Sequence, residues 1–175
     1  GKDMFAYDGK GADVITDYAS GDKISFSAAY TTAGLSGSDY VFKFSDGNSL
    51  TVNGVNLGDE LSVVNASGSD LTITALPFGL ALNENGNGLI ADTLFAGDEI
   101  DLGDYSNKVR SIDASALSSA INLVGNSYTN TLIGGAGNDS FTGGKGNDFF
   151  VYANGADVIT DYASSDKISL GGASI

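Results

Sequence analysis

The sequence contains no cysteine and no histidine, and its only proline is Pro77. Without cysteine, the chain has neither a disulfide framework nor a thiolate that could act as a nucleophile or a metal ligand. Without histidine, it lacks the usual general base of enzymes and the commonest ligand of transition metals. Oxygen atoms are therefore the metal ligands that the chain can offer.

Positive charge is scarce as well. Seven Lys are scattered along the chain, Arg110 is the single Arg, and the net charge is −14. Nucleic-acid binding requires clustered Lys and Arg near the phosphates, so no nucleic-acid partner is expected. No apolar run approaches the roughly 18 residues of a membrane-spanning helix, and no amino-terminal signal peptide is visible. We therefore predict no transmembrane segment.

Glycine and aspartate dominate what is present. The chain has 25 Gly, and 19 of its 22 acidic residues are Asp. Both residue types disfavour helices and favour turns. The composition therefore points away from α structure and favours an all-β fold.

Apolar residues recur every nine positions in the carboxy-terminal part of the chain, at Ala114, Leu123, Leu132, Phe141, Phe150, Ile159 and Ile168. An Asp stands two residues before each of the last four, and Asn130 takes this place before Leu132. A glycine-rich turn of about six residues followed by a three-residue strand explains this period. Two such units would form a coil of 18 residues with the apolar residues between two parallel sheets. The amino-terminal part repeats the column, as Asp3, Asp13 and Asp22 before Phe5, Ile15 and Ile24.

This geometry predicts a charge problem. Residues in neighbouring coils stack about 4.8 Å apart, so Asp139 would lie under Asp157 and Asp148 under Asp166. Like charges at this distance repel by about 1 kcal/mol in water and by several-fold more near a protein surface. A column of carboxylates therefore needs a counter-ion. Carboxylate and turn carbonyl oxygens suit Ca²⁺, whereas Mg²⁺ demands a stricter octahedron and retains its waters.

The two sequences GGAGNDSFT (134–142) and GGKGNDFFV (143–151) carry a recognisable motif. Both resemble the nonapeptide Gly-Gly-x-Gly-x-Asp-x-U-x, with U apolar, of the RTX (repeats-in-toxin) family of secreted bacterial proteins, and they match it at every defined position. Degenerate copies flank them at 125–133, 152–160 and 161–169.

The resemblance implies a right-handed parallel β-roll in which each calcium ion lies between turns that are 18 residues apart. Backbone carbonyls and an Asp from each turn would bind the ion. Carried over to this chain, one site combines Gly134, Ala136 and Asp139 with Ala153, Gly155 and Asp157. A second combines Gly143, Lys145 and Asp148 with Tyr162, Ser164 and Asp166. A third combines Gly125, Ser127 and the neutral Asn130 with Gly144, Gly146 and Asp148. A weak amino-terminal site would use Asp3 and Asp22.

The two ends of the chain are alike. Residues 1–28 resemble residues 146–173, and the block ADVITDYAS is identical at 12–20 and 156–164. Either the protein has matching ends, or the chain is one period of a longer tandem array. We favour the array, in which neighbouring copies of the same module are partners.

The middle of the chain lacks the nonapeptide. Tyr40, Phe42 and Phe44 alternate with other residues before the turn SDGN (45–48), which predicts a β-hairpin with 49–55. We therefore divide the chain into the end of a β-roll (1–26), an antiparallel β spacer or cap (27–112) and an RTX β-roll (113–175).

Two further acidic or amide-rich stretches are weaker candidates. NENGNG, with Asn83, Asn85 and Asn87, partly resembles an EF-hand, but Leu94 stands where the final Glu ligand is required, so an Asn-Gly hairpin turn is favoured. The stretch GDEIDLGD (97–104) is interpreted as a solvated acidic edge. Asp17 and Asp161 could assist a site or cap a turn, and the sequence does not separate the two roles.

The sequence thus predicts a calcium-binding module of a secreted or cell-surface bacterial protein, with two calcium sites favoured and no catalysis of its own. The resemblance implies type I secretion and folding on calcium outside the cell, where the module would act as a spacer or adhesion-array unit. The alternative is a carbohydrate- or surface-binding module of a secreted enzyme, with Tyr40, Phe42, Phe44 and Tyr105 as a platform. No nucleophile–base pair supports an enzyme.

Overall fold

The computed structural model describes residues 1–171 and shows an all-β protein. The chain forms two compact units, Gly1–Phe78 (unit 1) and Gly79–Ile175 (unit 2). The predicted third segment extends to residue 175, and its residues 172–175 lie outside the described part. Among the described residues, no helix is long and apolar enough to cross a membrane.

Unit 1 contains eight strands in two sheets. In one sheet β1, β3 and β7 pair in parallel and β8 pairs antiparallel to β7; in the other, β2 and β6 pair in parallel, and β5 and β4 follow as antiparallel strands. The strands are β1 (Met4–Tyr7), β2 (Ala12–Ile15), β3 (Lys23–Phe26), β4 (Thr32–Ser36), β5 (Asp39–Lys43), β6 (Ser49–Asn53), β7 (Glu60–Val64) and β8 (Asp70–Thr74).

The core of unit 1 lies between its two sheets. Phe42 of β5 and Leu50 of β6 pack there with Ile24 of β3 and Leu61 of β7. The hairpin expected around residues 45–48 is present, since β5 pairs antiparallel to β6 across this turn. Strands β1, β2, β3, β6 and β7 alternate between the two sheets as in a roll. The β4–β5 hairpin is an insertion between β3 and β6, and β8 follows β7 in the same sheet.

Unit 2 is a stack of parallel coils. Strands β10, β12, β14, β16 and β18 form one parallel sheet, which β9 extends as an antiparallel edge, and β11, β13, β15 and β17 form the other. The strands are β9 (Leu80–Leu82), β10 (Gly88–Ala91), β11 (Glu99–Asp101), β12 (Ser111–Asp113), β13 (Asn122–Val124), β14 (Thr131–Ile133), β15 (Ser140–Thr142), β16 (Phe149–Val151), β17 (Val158–Ile159) and β18 (Lys167–Ser169), with a 3₁₀-helix at Leu102–Asp104.

The 18-residue coil of the sequence is present in the last turns of unit 2. Leu132 pairs with Phe150, Phe150 with Ile168, Leu123 with Phe141, and Phe141 with Ile159. The inward rings of Phe141 and Phe150, from opposite sheets, lie 6.0 Å apart at their centres. The parallel β-roll predicted from the sequence is thereby confirmed.

The first inward residue of the nine-residue series is not the one that the sequence predicts. Ile112, and not Ala114, occupies the centre of β12 and pairs with Leu132. Ala114 is also buried, but it lies past the end of β12, in the turn that leads to β13. The segment between Ile112 and Leu123 is longer than a nonapeptide, and the added residues are accommodated in this turn. The strict nine-residue spacing therefore breaks at this coil.

Parallel pairing begins earlier than residue 113, where the sequence places the start of the roll. Leu89 of β10 already pairs with Ile112, and Ile100 of β11 pairs with Leu123. These coils need only an inward apolar residue and a turn of any length, so they form without the nonapeptide. Residues 27–112, expected to be an antiparallel spacer, therefore contain both kinds of pairing. Antiparallel pairs occur in unit 1 and at β9, whereas β6 and β7 pair in parallel with β2 and β3, and parallel coils continue from β10 onward.

The alternation of burial along β16 can be tested with two adjacent phenylalanines. Phe150 points into the core and is 1% exposed, whereas Phe149 is 36% exposed. Phe150→Ala should lower the free energy of unfolding in saturating calcium by about 3–5 kcal/mol, because it leaves a cavity. Phe149→Ala is the matched control and should cost clearly less. Chemical denaturation measures both values, and equal losses would contradict the assigned direction of the strand.

Candidate metal centre

The position two residues before each inward apolar residue forms a column on each side of unit 2. Strand pairing aligns Arg110, Asn130, Asp148 and Asp166 along one side. It aligns Asp98, Ile121, Asp139 and Asp157 along the other. Adjacent coils carry stacked carboxylates only at Asp148 with Asp166 and at Asp139 with Asp157. The structure therefore brings together the two Asp pairs that the sequence predicts.

Backbone amides hold these carboxylates in their columns. The N–H of Asp139 donates to Asp157 Oδ1 at 2.9 Å, and the N–H of Asp148 donates to Asp166 Oδ1 at 2.9 Å. The N–H groups of Ile121 and Asn130 donate in the same way to Asp139 and Asp148, at 3.1 and 2.8 Å. Each carboxylate thus satisfies the amide that lies 18 residues earlier. We call this series of bonds the carboxylate–amide ladder.

The second carboxylate oxygens of the stacked Asp residues, Oδ2, differ in their hydrogen bonds. Oδ2 of Asp139 accepts a hydrogen bond from the Gly135 N–H at 2.8 Å, and Oδ2 of Asp166 accepts one from the Ala163 N–H at 2.7 Å. Oδ2 of Asp157 is buried and has no hydrogen-bond partner among the described residues. A buried anionic oxygen without a partner is costly. Its position beside Asp139 fits a site for a cation.

Burial also perturbs the acidity of two of these groups. Desolvation raises the pKa of Asp157, and the charge of Asp139 raises it further. Desolvation likewise raises the pKa of Asp148, with added contributions from Asp166 and Asp161. In both cases a backbone hydrogen bond opposes the rise. A bound cation would favour the ionised forms instead.

The turns supply additional oxygen atoms near the first Asp pair. Within residues 1–171, the carbonyls of Gly134, Ala136 and Ala153 accept no hydrogen bond, and that of Gly155 accepts one from the Tyr152 hydroxyl at 3.0 Å. No group of three or more Asp or Glu side chains converges in this described part of the chain. A metal held here would therefore depend on carbonyl ligands.

The turns around the second Asp pair show the same pattern. In the described part of the chain, hydrogen bonds leave the carbonyls of Gly143, Lys145, Tyr162 and Ser164 free. A Cβ atom at Gly143 would lie 2.5 Å from Oδ2 of Asp148, and one at Gly134 would lie 2.6 Å from Oδ2 of Asp139. The first glycine of each perfect repeat therefore makes room for the carboxylate of the same repeat.

The third predicted site is different, because its neutral residue is already satisfied. Asn130 Oδ1 accepts a hydrogen bond from the Asn126 N–H at 2.8 Å. Its Nδ2 donates to Asn126 Oδ1 at 3.1 Å and to the Arg110 carbonyl at 3.3 Å. Gly125 and Ser127 belong to the same turn as Asn126. This turn faces the turn of the next coil, in which Gly144 and Gly146 have positive φ values of 85° and 133°. Nothing in this arrangement requires a cation.

The amino-terminal pair of Asp3 and Asp22 reproduces the backbone hydrogen bonds of Asp148 and Asp166. Asp22 Oδ1 accepts from the Asp3 N–H at 2.9 Å, and its Oδ2 accepts from the Ala19 N–H at 2.9 Å. These two bonds lower the pKa of Asp22. The side chain of Asp3 is exposed, so the structure brings the backbone of Asp3, and not a second buried carboxylate, to Asp22.

Asp161, whose role the sequence leaves undecided, caps a turn. Its two carboxylate oxygens accept hydrogen bonds from the N–H groups of Gly143 and Gly144, at 2.8 and 2.7 Å. Asp161 lies 18 residues after Gly143, at the first position of its degenerate repeat. This spacing is the signal that could have placed it beside the glycine turn.

The two weaker candidates are structural. Asn83 and Asn87 bond to each other within the β9–β10 hairpin turn, with Asn87 N–H donating to Asn83 Oδ1 at 3.0 Å. In the stretch 97–104, Asp101 accepts a hydrogen bond from the Gly103 N–H at 2.6 Å and caps the 3₁₀-helix.

Protons should compete with calcium at Asp148 and Asp157. Because their pKa values are raised, lowering the pH should protonate these two ligands before most other Asp side chains and should weaken calcium binding severalfold. Titration calorimetry at about pH 7 and about pH 5 measures the change in affinity. The double variant Asp148→Asn/Asp157→Asn is the control, since it should lose both ions at either pH, so any heat that it retains does not come from these two sites. Equal affinity of the parent protein at both pH values would contradict the prediction.

Comparison with known proteins bears on the same segment. No curated protein is similar enough to the whole chain to count as a relative. Residues 124–159, however, match the family described as the RTX calcium-binding nonapeptide repeat, in four copies. This range includes both perfect repeats and three of the four stacked Asp residues. The chain therefore carries a module of RTX calcium-binding nonapeptide repeats, as the resemblance of its sequence indicated.

Proposed function

We propose that unit 2 binds two calcium ions between turns that are 18 residues apart. One would be held by Asp139, Asp157 and the carbonyls of Gly134, Ala136, Ala153 and Gly155. The other would be held by Asp148, Asp166 and the carbonyls of Gly143, Lys145, Tyr162 and Ser164. The unpaired, buried Oδ2 of Asp157 beside Asp139 is the observation that carries this proposal.

The donor atoms favour calcium over other cations. Both ligand sets consist only of carboxylate and carbonyl oxygens, and each could supply the six or more ligands that Ca²⁺ accepts at flexible angles. Transition metals prefer imidazole or thiolate, and the chain has neither histidine nor cysteine. Two carboxylates per ion neutralise its charge and remove the repulsion within each stacked pair.

Asp→Asn substitutions test the two sites one at a time. Asp157→Asn and Asp148→Asn keep the shape of the side chain and its acceptor oxygen, and each should remove one calcium ion per chain. Asp98→Asn is the matched control: Asp98 occupies the same position in its coil, but it is exposed and Ile121 follows it in the column. Calorimetric stoichiometry measures the number of ions. If neither substitution in the stacked pairs lowers the ion count, the ligand assignment is wrong.

Calcium binding should be coupled to folding of the roll. The turns are rich in glycine, which loses much conformational entropy on folding, and the metal-free carboxylates repel each other. The net charge of −14 adds to this repulsion. A chain with these properties gains most of its stability from the ions it binds.

The far-ultraviolet circular dichroism of the protein should therefore gain a large β-sheet signal between a chelator and millimolar calcium. The same concentration of magnesium is the control and should produce a much smaller change. The Asp148→Asn/Asp157→Asn variant, which should lose both ions, should gain little of this signal. A spectrum that is identical in chelator and in calcium would overturn the coupling.

We further propose that the module works outside the cell. RTX repeats are typical of secreted proteins, and millimolar calcium is found outside cells, so the chain would cross a type I secretion channel unfolded and then fold. Its role would be that of a structural spacer or adhesion-array unit, with neighbouring copies of the same module in tandem. The repeat module is a structural calcium-binding element, so any catalytic activity would belong to another part of a parent protein.

The alternative of a carbohydrate-binding module loses its expected platform. Tyr40, Phe42 and Phe44 are buried in the core of unit 1, where Phe42 packs against Phe26 with ring centres 4.9 Å apart. Tyr105 is half-buried in unit 2, and burial raises its pKa to about 12. These four aromatic residues do not form an exposed surface on which a sugar ring could stack.

A further inference from the structure

The repeated sequence at the two ends of the chain adopts the same local structure in both units. The Tyr18 hydroxyl donates to the Asp22 carbonyl at 3.1 Å, and the Tyr162 hydroxyl donates to the Asp166 carbonyl at 3.2 Å. The N–H groups of Ala19 and Ala163 donate to Oδ2 of Asp22 and Asp166, at 2.9 and 2.7 Å. Strands β16, β17 and β18 of unit 2 thus correspond to β1, β2 and β3 of unit 1.

In unit 1 this structure is covered by a further coil. Strand β6 pairs with β2, and β7 pairs with β3 through Ile24 and Val63. The Ser62 N–H of β7 donates to the Tyr18 hydroxyl at 2.8 Å. As a result Ile24 is completely buried.

Within the described part of unit 2, no further coil covers the corresponding residues. Ile168, the counterpart of Ile24, is 50% exposed, and Tyr162, the counterpart of Tyr18, is 53% exposed. Leu170 is exposed where its counterpart Phe26 is buried. We call the face formed by β17, β18 and Tyr162 the open edge of unit 2. Exposed parallel strand edges with apolar residues are sites at which another strand can pair.

In unit 1 the edge at β1 is the exposed one, whereas the corresponding edge at β16 of unit 2 is covered. Phe150 and Asp148 are almost fully buried in unit 2, where β14 pairs with β16. Their counterparts Phe5 and Asp3 in unit 1 are more exposed, and among residues 1–171 no strand lies beside β1 on the side away from β3. Each unit therefore contains the coils that would cover the corresponding edge of the other.

We propose that the open edge of unit 2 binds a second copy of this sequence that continues the chain in tandem. The segment 27–78 of the second copy would follow Leu170 as it follows Phe26 here, with its β6 on β17 and its β7 on β18. One folding unit would then run from β9 of one copy to β8 of the next. This inference rests on the tandem arrangement proposed above and is independent of calcium stoichiometry.

The strands at the ends of this composite unit support its boundaries. Strand β9 is antiparallel to β10, and β8 is antiparallel to β7. The other sheet of unit 1 likewise ends in the antiparallel strands β5 and β4. Antiparallel strands interrupt the parallel register and so end a roll, whereas the edges at β1 and β18 keep the parallel register of the coils within. The parallel edges at β18 and β1 would therefore meet inside the composite unit, whereas the antiparallel strands would form its ends.

A two-copy chain tests the inference. Residues 1–170 are followed directly by residues 27–171 of a second copy, so that the shared segment 146–170 occurs once between the two copies. Hydrogen–deuterium exchange of the peptide covering residues 161–170 should be about tenfold slower or more in the two-copy chain than in the single chain, both in calcium, because new ladder bonds protect its amides.

The control carries Leu61→Asp and Val63→Asp in the second copy only, so that unit 1 of the first copy is unchanged. This variant should lose the added protection of residues 161–170. Equal exchange in the single and two-copy chains would overturn the inference, whether both are fast or both are protected by self-association or another surface. Calcium stoichiometry, measured on the same proteins, reports on the proposed metal sites separately.

Discussion

The hydrogen bond between a backbone N–H and the carboxylate one coil later is the interaction on which the rest of unit 2 depends. It fixes Asp139 against Asp157 and Asp148 against Asp166, and it holds each carboxylate where the next coil covers it. The same bond that aligns the coils therefore brings like charges together and buries them. In the proposed sites calcium would resolve this conflict, because its ligands can include both carboxylates of a pair and the carbonyls of the glycine turns. Coil stacking and ion binding are thus two consequences of one geometry.

The columns also show where this arrangement ends. On one side Ile121 precedes Asp139, and on the other Asn130 precedes Asp148, with Arg110 before it. Ile121 and Asn130 donate their backbone N–H groups to the ladder but add no negative charge, whereas the Arg110 N–H donates to the Asn87 carbonyl. The Asn130 side chain forms its hydrogen bonds with Asn126 and the Arg110 carbonyl. The guanidinium carbon of Arg110 lies 3.6 Å from the ring centre of Tyr128. The early coils of unit 2 are therefore aligned without stacked carboxylates.

Much of the fold and of the candidate site could be predicted because nine-residue periodicity places an inward residue and an Asp at constant offsets. Phe141, Phe150 and both Asp pairs follow from this period. The period fails at Ile112, Ile100 and Leu89, because a coil tolerates turns of different lengths as long as its inward residue meets the one below. Such coils leave no regular spacing in the sequence. The role of Asp161 does not follow from its own repeat, because it depends on two N–H groups in the coil 18 residues earlier. Only the spacing between the two repeats places Asp161 beside the Gly143 turn.

The sequence alone determined the repeating unit and predicted which oxygen atoms could bind a hard cation, since both follow from which residues recur and at what interval. Only the tertiary structure decided which of these residues are covered. The block ADVITDYAS is identical at 12–20 and 156–164 and makes the same local bonds, yet Tyr18 bonds to a further coil and Tyr162 is exposed. Local bonds depend on neighbours in sequence, whereas burial depends on the coil stacked above, which lies 37 or more residues away along the chain in unit 1.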